Sequence, residues 1–240
     1  MYFSADQIQQ LNVALGEAHE RYVDMIFSIA ELCSRLSSDS AKEFLLHGAG
    51  RRLKVIDHCI KDIFKIYPPT RTEVLSDEEL TQVSVNLHAF FVNLFGIQDN
   101  LAWTVAYEKN LPQLNNRFQI GLYRRERMPD GTQEQVANSA MLTPEFTDYL
   151  NTAQLKTWQN EHLKEFRDAL AHRIPMYIVP YAQTDAGMII QPFPCYAGSV
   201  FDGRGLVMHA QLLADFNTVS EMMDKCFEFE FPAVATFVGA

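Results

Sequence analysis

"SDEELTQVSVNLHAFFVNLFGIQDNLAWTVAY", residues 76–107, decides the fold class. Val83, Leu87, Phe90, Phe91, Leu94 and Leu101 recur at the three- and four-residue steps that line up on one face of an α-helix. "SDEE" at Ser76 to Glu79 supplies a start signal: the serine hydroxyl can accept from a first-turn N–H while the glutamate reaches back to the serine N–H. A stripe this long behind such a cap predicts a helix running to about Tyr107.

Upstream, the same logic applies twice. Ile8, Leu11, Leu15, Tyr22, Met25, Ile29, Leu32 and Leu36 form one helical stripe, with Ser4 and Gln7 of "SADQ" as its cap. "SAKE" at Ser40 to Glu43 opens a second helix that carries Phe44, Leu45, Leu53, Ile56, Ile60 and Ile63 and stops at Pro68 and Pro69. Downstream, residues 110–142 lose periodicity around the turn signal Pro129-Asp130-Gly131 and read as a long loop insertion. Thr143 and Pro144 then restart a helix, and another runs from about Thr152 to His172, where Pro175 forces an end. "MYIVPYA" and "GMIIQPFPCY" predict a short proline-limited edge hairpin over about residues 175–197. A loop around "FDGRG" leads to a last helix bearing Leu212, Phe216, Val219, Met223 and Cys226. The expected architecture is all-α: one domain over residues 1–240, an up-and-down bundle of five or six helices with a β-hairpin appended before the last helix.

A net charge of −10 argues against a protein that coats DNA or other nucleic acid, since phosphate binding is driven by Lys and Arg, but leaves room for a local basic patch. The N-terminus lacks a basic and then apolar leader, and no run of about 18 uncharged apolar residues occurs, so a cytoplasmic protein without membrane association is expected. Cys33, Cys59, Cys195 and Cys226 are scattered without the close spacing of a tetrahedral zinc site and read as reduced thiols. No histidine follows a glutamate at the Glu-x-x-His step of di-metal bundles, and neither a phosphate-cradling glycine loop nor a nucleophile elbow is found. Neither a metal nor a cofactor is therefore expected.

"EFRDALAHRIP", residues 165–175, holds the densest cluster of chemical groups. Arg167 offers a phosphate-binding cation and His172 a base that titrates near neutrality. Spacing alone decides nothing, because Arg51 and Arg52 before His58, and Arg204 before His209, repeat it. At about 100° per residue, Glu161, Glu165, Asp168 and His172 share one face, which lets Asp168 orient the His172 ring, while Arg167 lies about 140° away. Bringing Arg167 and His172 to one target requires either an unwound helix end or a second protomer. The alternative is a polar helix end, where His172 and Arg173 complement the dipole.

"FRDALAHR" near the end of a late helix resembles the signature of the HEPN superfamily: Arg, then a polar residue, then His after four to six intervening residues. Arg167, Asp168 and His172 match those positions in order, and Glu161 and Lys164 resemble the acidic and basic residues often found upstream. The resemblance implies a homodimer that brings two motifs together, commonly as a metal-independent endoribonuclease, with RNA as partner. A non-catalytic interaction or small-ligand module is the alternative from a different class.

Two further features bear on the site. Asp99 and Asn100 interrupt the aromatic run of residues 88–103; if buried they need partners, which Arg167 or His172 can supply, and otherwise they form an exposed step. Arg117, Arg124, Arg125 and Arg127, interleaved with Phe118 and Tyr123, suit a single-stranded nucleic-acid backbone with a stacked base.

Overall fold

The cap at Ser4 forms as its sequence dictates: its hydroxyl accepts from the Gln7 N–H, Gln7 returns the bond, and α1 runs Ala5–Arg35. A computed structural model describes residues 3–183, 185–190, 193–197 and 205–232. The second helix starts two residues earlier than "SAKE" predicts, because Ser38 rather than Ser40 is the N-cap and its hydroxyl accepts from the Ala41 N–H. The carboxylate of Glu108 explains the shift, since it accepts from the N–H groups of Ser37 and Ser38 and holds that turn open. From there α2 (Asp39–Glu43) passes through a π-helical turn (Phe44–Ala49) into α3 (Gly50–Ile66). The reciprocal cap of Ser76 and Glu79 starts α4 (Asp77–Glu108). Arg71 grips Glu79 through two 2.8 Å bonds, and that hydrogen bond is the main cause holding the glutamate carboxyl down at about 2.

After α4 the chain departs from its sequence reading. Residues 110–142 are not merely a loop: β1 (Tyr123–Arg127) pairs antiparallel with β2 (Gln133–Ala137). Pro129-Asp130-Gly131 makes the turn, with Gly131 at φ +88° and its N–H bonded to the Met128 carbonyl at 2.9 Å. Four of the five β1 residues, Arg124 to Arg127, are exposed, so no apolar alternation advertises the strand. Next come α5 (Pro144–Leu150), capped by Thr143 as predicted, and α6 (Ala153–Thr157). A second π-helical turn (Trp158–Leu163) joins α6 to α7 (Lys164–His172). The predicted hairpin is present but interrupted. β3 (Tyr177–Ile178) pairs with β6 (Cys195–Ala197), and β4 (Ala182–Gln183) pairs with β5 (Ile189–Ile190), with Pro180 between the two ladders. β7 (Leu206–Val207) adds to β6 and leads into α8 (Met208–Glu230). Most of "FDGRG" lies outside the described residues.

The protein is predominantly α-helical, and the two π turns fuse their flanking helices to leave six rods among the described residues. By length and composition α4 is the one helix among the described residues apolar enough to cross a membrane. In this fold it is the core helix: Val83, Leu87, Phe90, Phe91, Leu94, Ile97 and Leu101 are fully buried, and α2, α3, α7 and α8 all touch it. All four cysteines are free, and burial pushes the Cys59 thiol up to about 12.

The start of α8 contributes a titrating group to the core. His209 is completely buried, bonds the Tyr67 carbonyl through Nε2 at 2.7 Å, and has no partner for Nδ1 among the described residues. Burial pushes its imidazole down to about 4. The unfolded chain therefore takes up this proton before the folded one does. Stability is lost as the pH falls from the ordinary value of 6.5 toward 4, by roughly 3 kcal/mol. Urea titrations at several pH values are expected to show this loss, and His209→Gln is expected to flatten it.

Candidate functional site

The polar step Gln98-Asp99-Asn100 lies in the middle of α4, and successive residues on a helix point about 100° apart. Each accordingly meets a different neighbour. Gln98 donates to Gln159 Oε1 of the second π turn at 2.8 Å, and Asn100 Oδ1 accepts from Arg52 Nε of α3 at 2.8 Å. Asp99 is exposed at the rim of a cleft of about 270 Å³ that Arg52 and Arg167 also line, over an apolar wall of Val92, Phe95 and Leu170. Desolvation by the surrounding protein raises the pKa of the Asp99 carboxyl, against the opposing pull of Arg167 and Arg52. Arg167 lines the same cleft as Asp99 but makes no hydrogen bond to it among the described residues, so Asp99 follows the alternative of an exposed step, whereas Asn100 is bonded to Arg52 rather than to Arg167 or His172.

Arg167 stacks over the Phe95 ring at 5.1 Å, and its Nη1 donates to Asp168 Oδ1 at 2.9 Å. Lys164 approaches the other Asp168 oxygen at 3.5 Å. Burial pushes the Asp168 carboxyl up, but the Arg167 hydrogen bond and the Lys164 charge outweigh it and keep it below its ordinary value. Asp168 thus serves the two cations, and no bond joins it to His172 among the described residues. His172 is the last residue of α7, exposed and outside the cleft. Glu165, Asp168 and His172 all lie in α7 at three- and four-residue steps and so keep a common face, although Asp168 bonds Arg167 and not His172. Glu161 lies inside the π turn just before α7, and Glu165 pairs with Arg173 at 3.1 Å.

The basic cluster lies on the β1–β2 hairpin and the turns before it. Arg124 and Arg125 line a larger cleft of about 630 Å³ together with the fully exposed Phe118. That volume falls within the roughly 300–1,000 Å³ of small-molecule sites. Gln113 anchors its amide N–H to the Ala140 carbonyl at 2.9 Å, which leaves its buried Oε1 without a partner among the described residues. Arg117 lies over the Trp103 ring at 5.9 Å, and Arg127 is exposed at the turn end of β1.

Comparisons of the chain with models of protein families, with curated proteins and with solved structures found no match.

Two polar groups are given no role in the sequence reading. One is Arg52, whose Nη1 also donates to Asn93 Oδ1 at 3.2 Å. A signal for it existed in Gly96, since a mid-helix glycine costs about 1 kcal/mol relative to alanine. A Cβ there would sit 2.4 Å from the Arg52 guanidinium carbon. The other is a buried cluster beneath α7. Asp215 of α8 accepts from Trp158 Nε1 and from Gln211 Nε2, both at 2.9 Å, and its second oxygen lies 2.9 Å from His162 Nε2. This cluster anchors the π turn that leads into the motif. The hairpin is tied to the same turn through Gln159, which donates to Gln135 Oε1 at 2.6 Å, and through Asn160, which accepts from the Gln135 N–H at 2.8 Å.

Proposed function

We propose that the chain is a HEPN-like RNA-binding protein that pairs as a homodimer and cleaves RNA with Arg167 and His172, without needing a metal ion. One observation carries this reading: neither motif side chain is consumed by the core, since Arg167 opens onto a cleft and His172 is exposed and unpaired among the described residues. On the same reading the helices form an up-and-down bundle whose motif face is shared between protomers. His172 lies outside its own cleft, so a site needing both groups draws them from two copies.

In this mechanism His172 takes the proton of a ribose 2′-hydroxyl as O2′ attacks the adjacent phosphorus. The bond from phosphorus to the 5′-oxygen breaks, and that oxygen takes a proton from an imidazolium or from water. The products are a 2′,3′-cyclic phosphate and a 5′-hydroxyl. Arg167 stabilises the charge that develops on the phosphate, and Asp168 positions the guanidinium. Phe118 and the arginines at 117, 124, 125 and 127 hold the flanking strand by stacking and charge.

The test incubates end-labelled structured and unstructured RNA with the protein in excess EDTA. Wild type is expected to release fragments ending in cyclic phosphate, and Arg167→Ala to slow their release by roughly a hundredfold. Fragments equally abundant with both proteins would point to a contaminating nuclease and remove the mechanism. RNA retained on the protein without cleavage would favour the non-catalytic module, a reading supported by the hold of Asp168 on Arg167.

A further inference from the structure

Arg52 is a cation held in place by neutral groups. Its Nε and Nη1 are bonded to the amide oxygens of Asn100 and Asn93, and no carboxylate lies within ion-pair distance of it among the described residues. Its Nη2 nitrogen is unbonded among the described residues, and the side chain is half-buried beside the cleft. An arginine whose task is to neutralise a protein charge is usually bonded to a carboxylate, often through two parallel bonds. One clamped by two carboxamides keeps its full charge and gives up little further freedom when an anion arrives.

The surroundings specify the anion. Arg167 lines the same cleft, with one guanidinium nitrogen on Asp168 and its face on Phe95. Two planar guanidinium groups present forked donors that match the oxygens of a phosphate group. At about 270 Å³ the cleft lies below the roughly 300–1,000 Å³ of sites that engulf a whole small molecule, which suits one group of a larger ligand. Asp99 on the rim is the internal competitor: its carboxylate offsets part of the positive charge, and an entering phosphate must work against it.

We propose that Arg52 and Arg167 together form a tetrahedral-oxyanion site, preorganised by Asn93, Asn100 and the bare surface of Gly96, that takes a phosphate group of the RNA strand. This deepens the function proposed above and rests on it for the strand, but not for the oxyanion. Arg52 is here a binding residue set by α3 and α4, outside the motif on α7.

The experiment titrates the His172→Ala protein, in which cleavage is expected to be about 10²–10⁴-fold slower, with inorganic phosphate, then AMP, then a short RNA, following arginine Nε–H resonances by NMR. Phosphate is expected to shift the Arg52 and Arg167 signals saturably. Gly96→Ala leaves α4 a better helix former and displaces only the flexible end of Arg52, so the fold survives while phosphate affinity falls about tenfold or more. Asp99→Asn is expected to act in the opposite direction and tighten binding. No saturable shift up to roughly 10 mM phosphate, or equal affinity in wild-type and Gly96→Ala backgrounds, would overturn the site. Competition between RNA and phosphate for the same arginines supports a strand phosphate. Binding of phosphate and AMP that RNA leaves undisturbed would overturn the strand assignment. Because the titration is done without His172, failure of the cleavage mechanism does not affect its outcome.

Discussion

Asp215→Ala is expected to lower the unfolding free energy by about 3–5 kcal/mol, because it removes a buried carboxylate from three hydrogen-bonding partners at once. The Asp215 side chain is 1% exposed, against 13% for its partner His162. Its two oxygens collect Trp158 Nε1, Gln211 Nε2 and the His162 imidazole. Alanine fills none of those roles and strands three polar groups between α8 and the π turn. Each stranded donor costs about 1–3 kcal/mol, although relaxation around the gap makes the sum smaller than three such terms. Asp215→Asn keeps one carbonyl oxygen for the Trp158 donor and should lose less. Chemical denaturation followed by tryptophan fluorescence measures both, because Trp158 is one of only two tryptophans and loses its hydrogen bond directly. A loss under 1 kcal/mol for the alanine variant would show that the cluster does not anchor α7.

His172→Ala is expected to reduce RNA cleavage by about 10²–10⁴-fold, the range for losing a general acid or base. The fold should hardly notice, since an exposed side chain without hydrogen bonds changes stability by no more than about 0.5 kcal/mol. Initial rates on end-labelled RNA in EDTA, beside circular dichroism of both proteins, separate these effects. Mixing variants then tests where the site is built. A site that takes Arg167 from one protomer and His172 from the other is restored in one copy when His172→Ala and Arg167→Ala chains are combined. An unchanged rate for His172→Ala would remove the mechanism, and failure of the mixture to regain activity would place both groups within one chain.

The helical framework was legible because its signals are local. Ser4 with Gln7 and Ser76 with Glu79 are reciprocal caps three residues apart, and the apolar stripes behind them need only the geometry of a single helix. Legibility failed where the local signal was ambiguous or missing. Two serines compete to start the second helix, and Glu108, seventy residues away, decides for Ser38. β1 exposes a row of charges instead of alternating, so its pairing with β2 leaves no mark of period two.

For the site, the sequence by itself singled out Arg167 and His172 as the chemical groups and Asp99 with Asn100 as an anomaly needing partners. It could not supply those partners, because hydrogen bonds between helices depend on which faces meet. Arg52 reaches Asn100 across 48 positions and His162 reaches Asp215 across 53. The π turn at Trp158–Leu163, which no 3.6-residue count foresees, leads into α7, where Asp168 turns to Arg167 and Lys164 rather than to His172. Caps and stripes are properties of contiguous residues and are written in the order of the chain. The convergence of Arg52, Asp99 and Arg167 on one cleft belongs to the packing of α3, α4 and α7, and only the tertiary structure decided it.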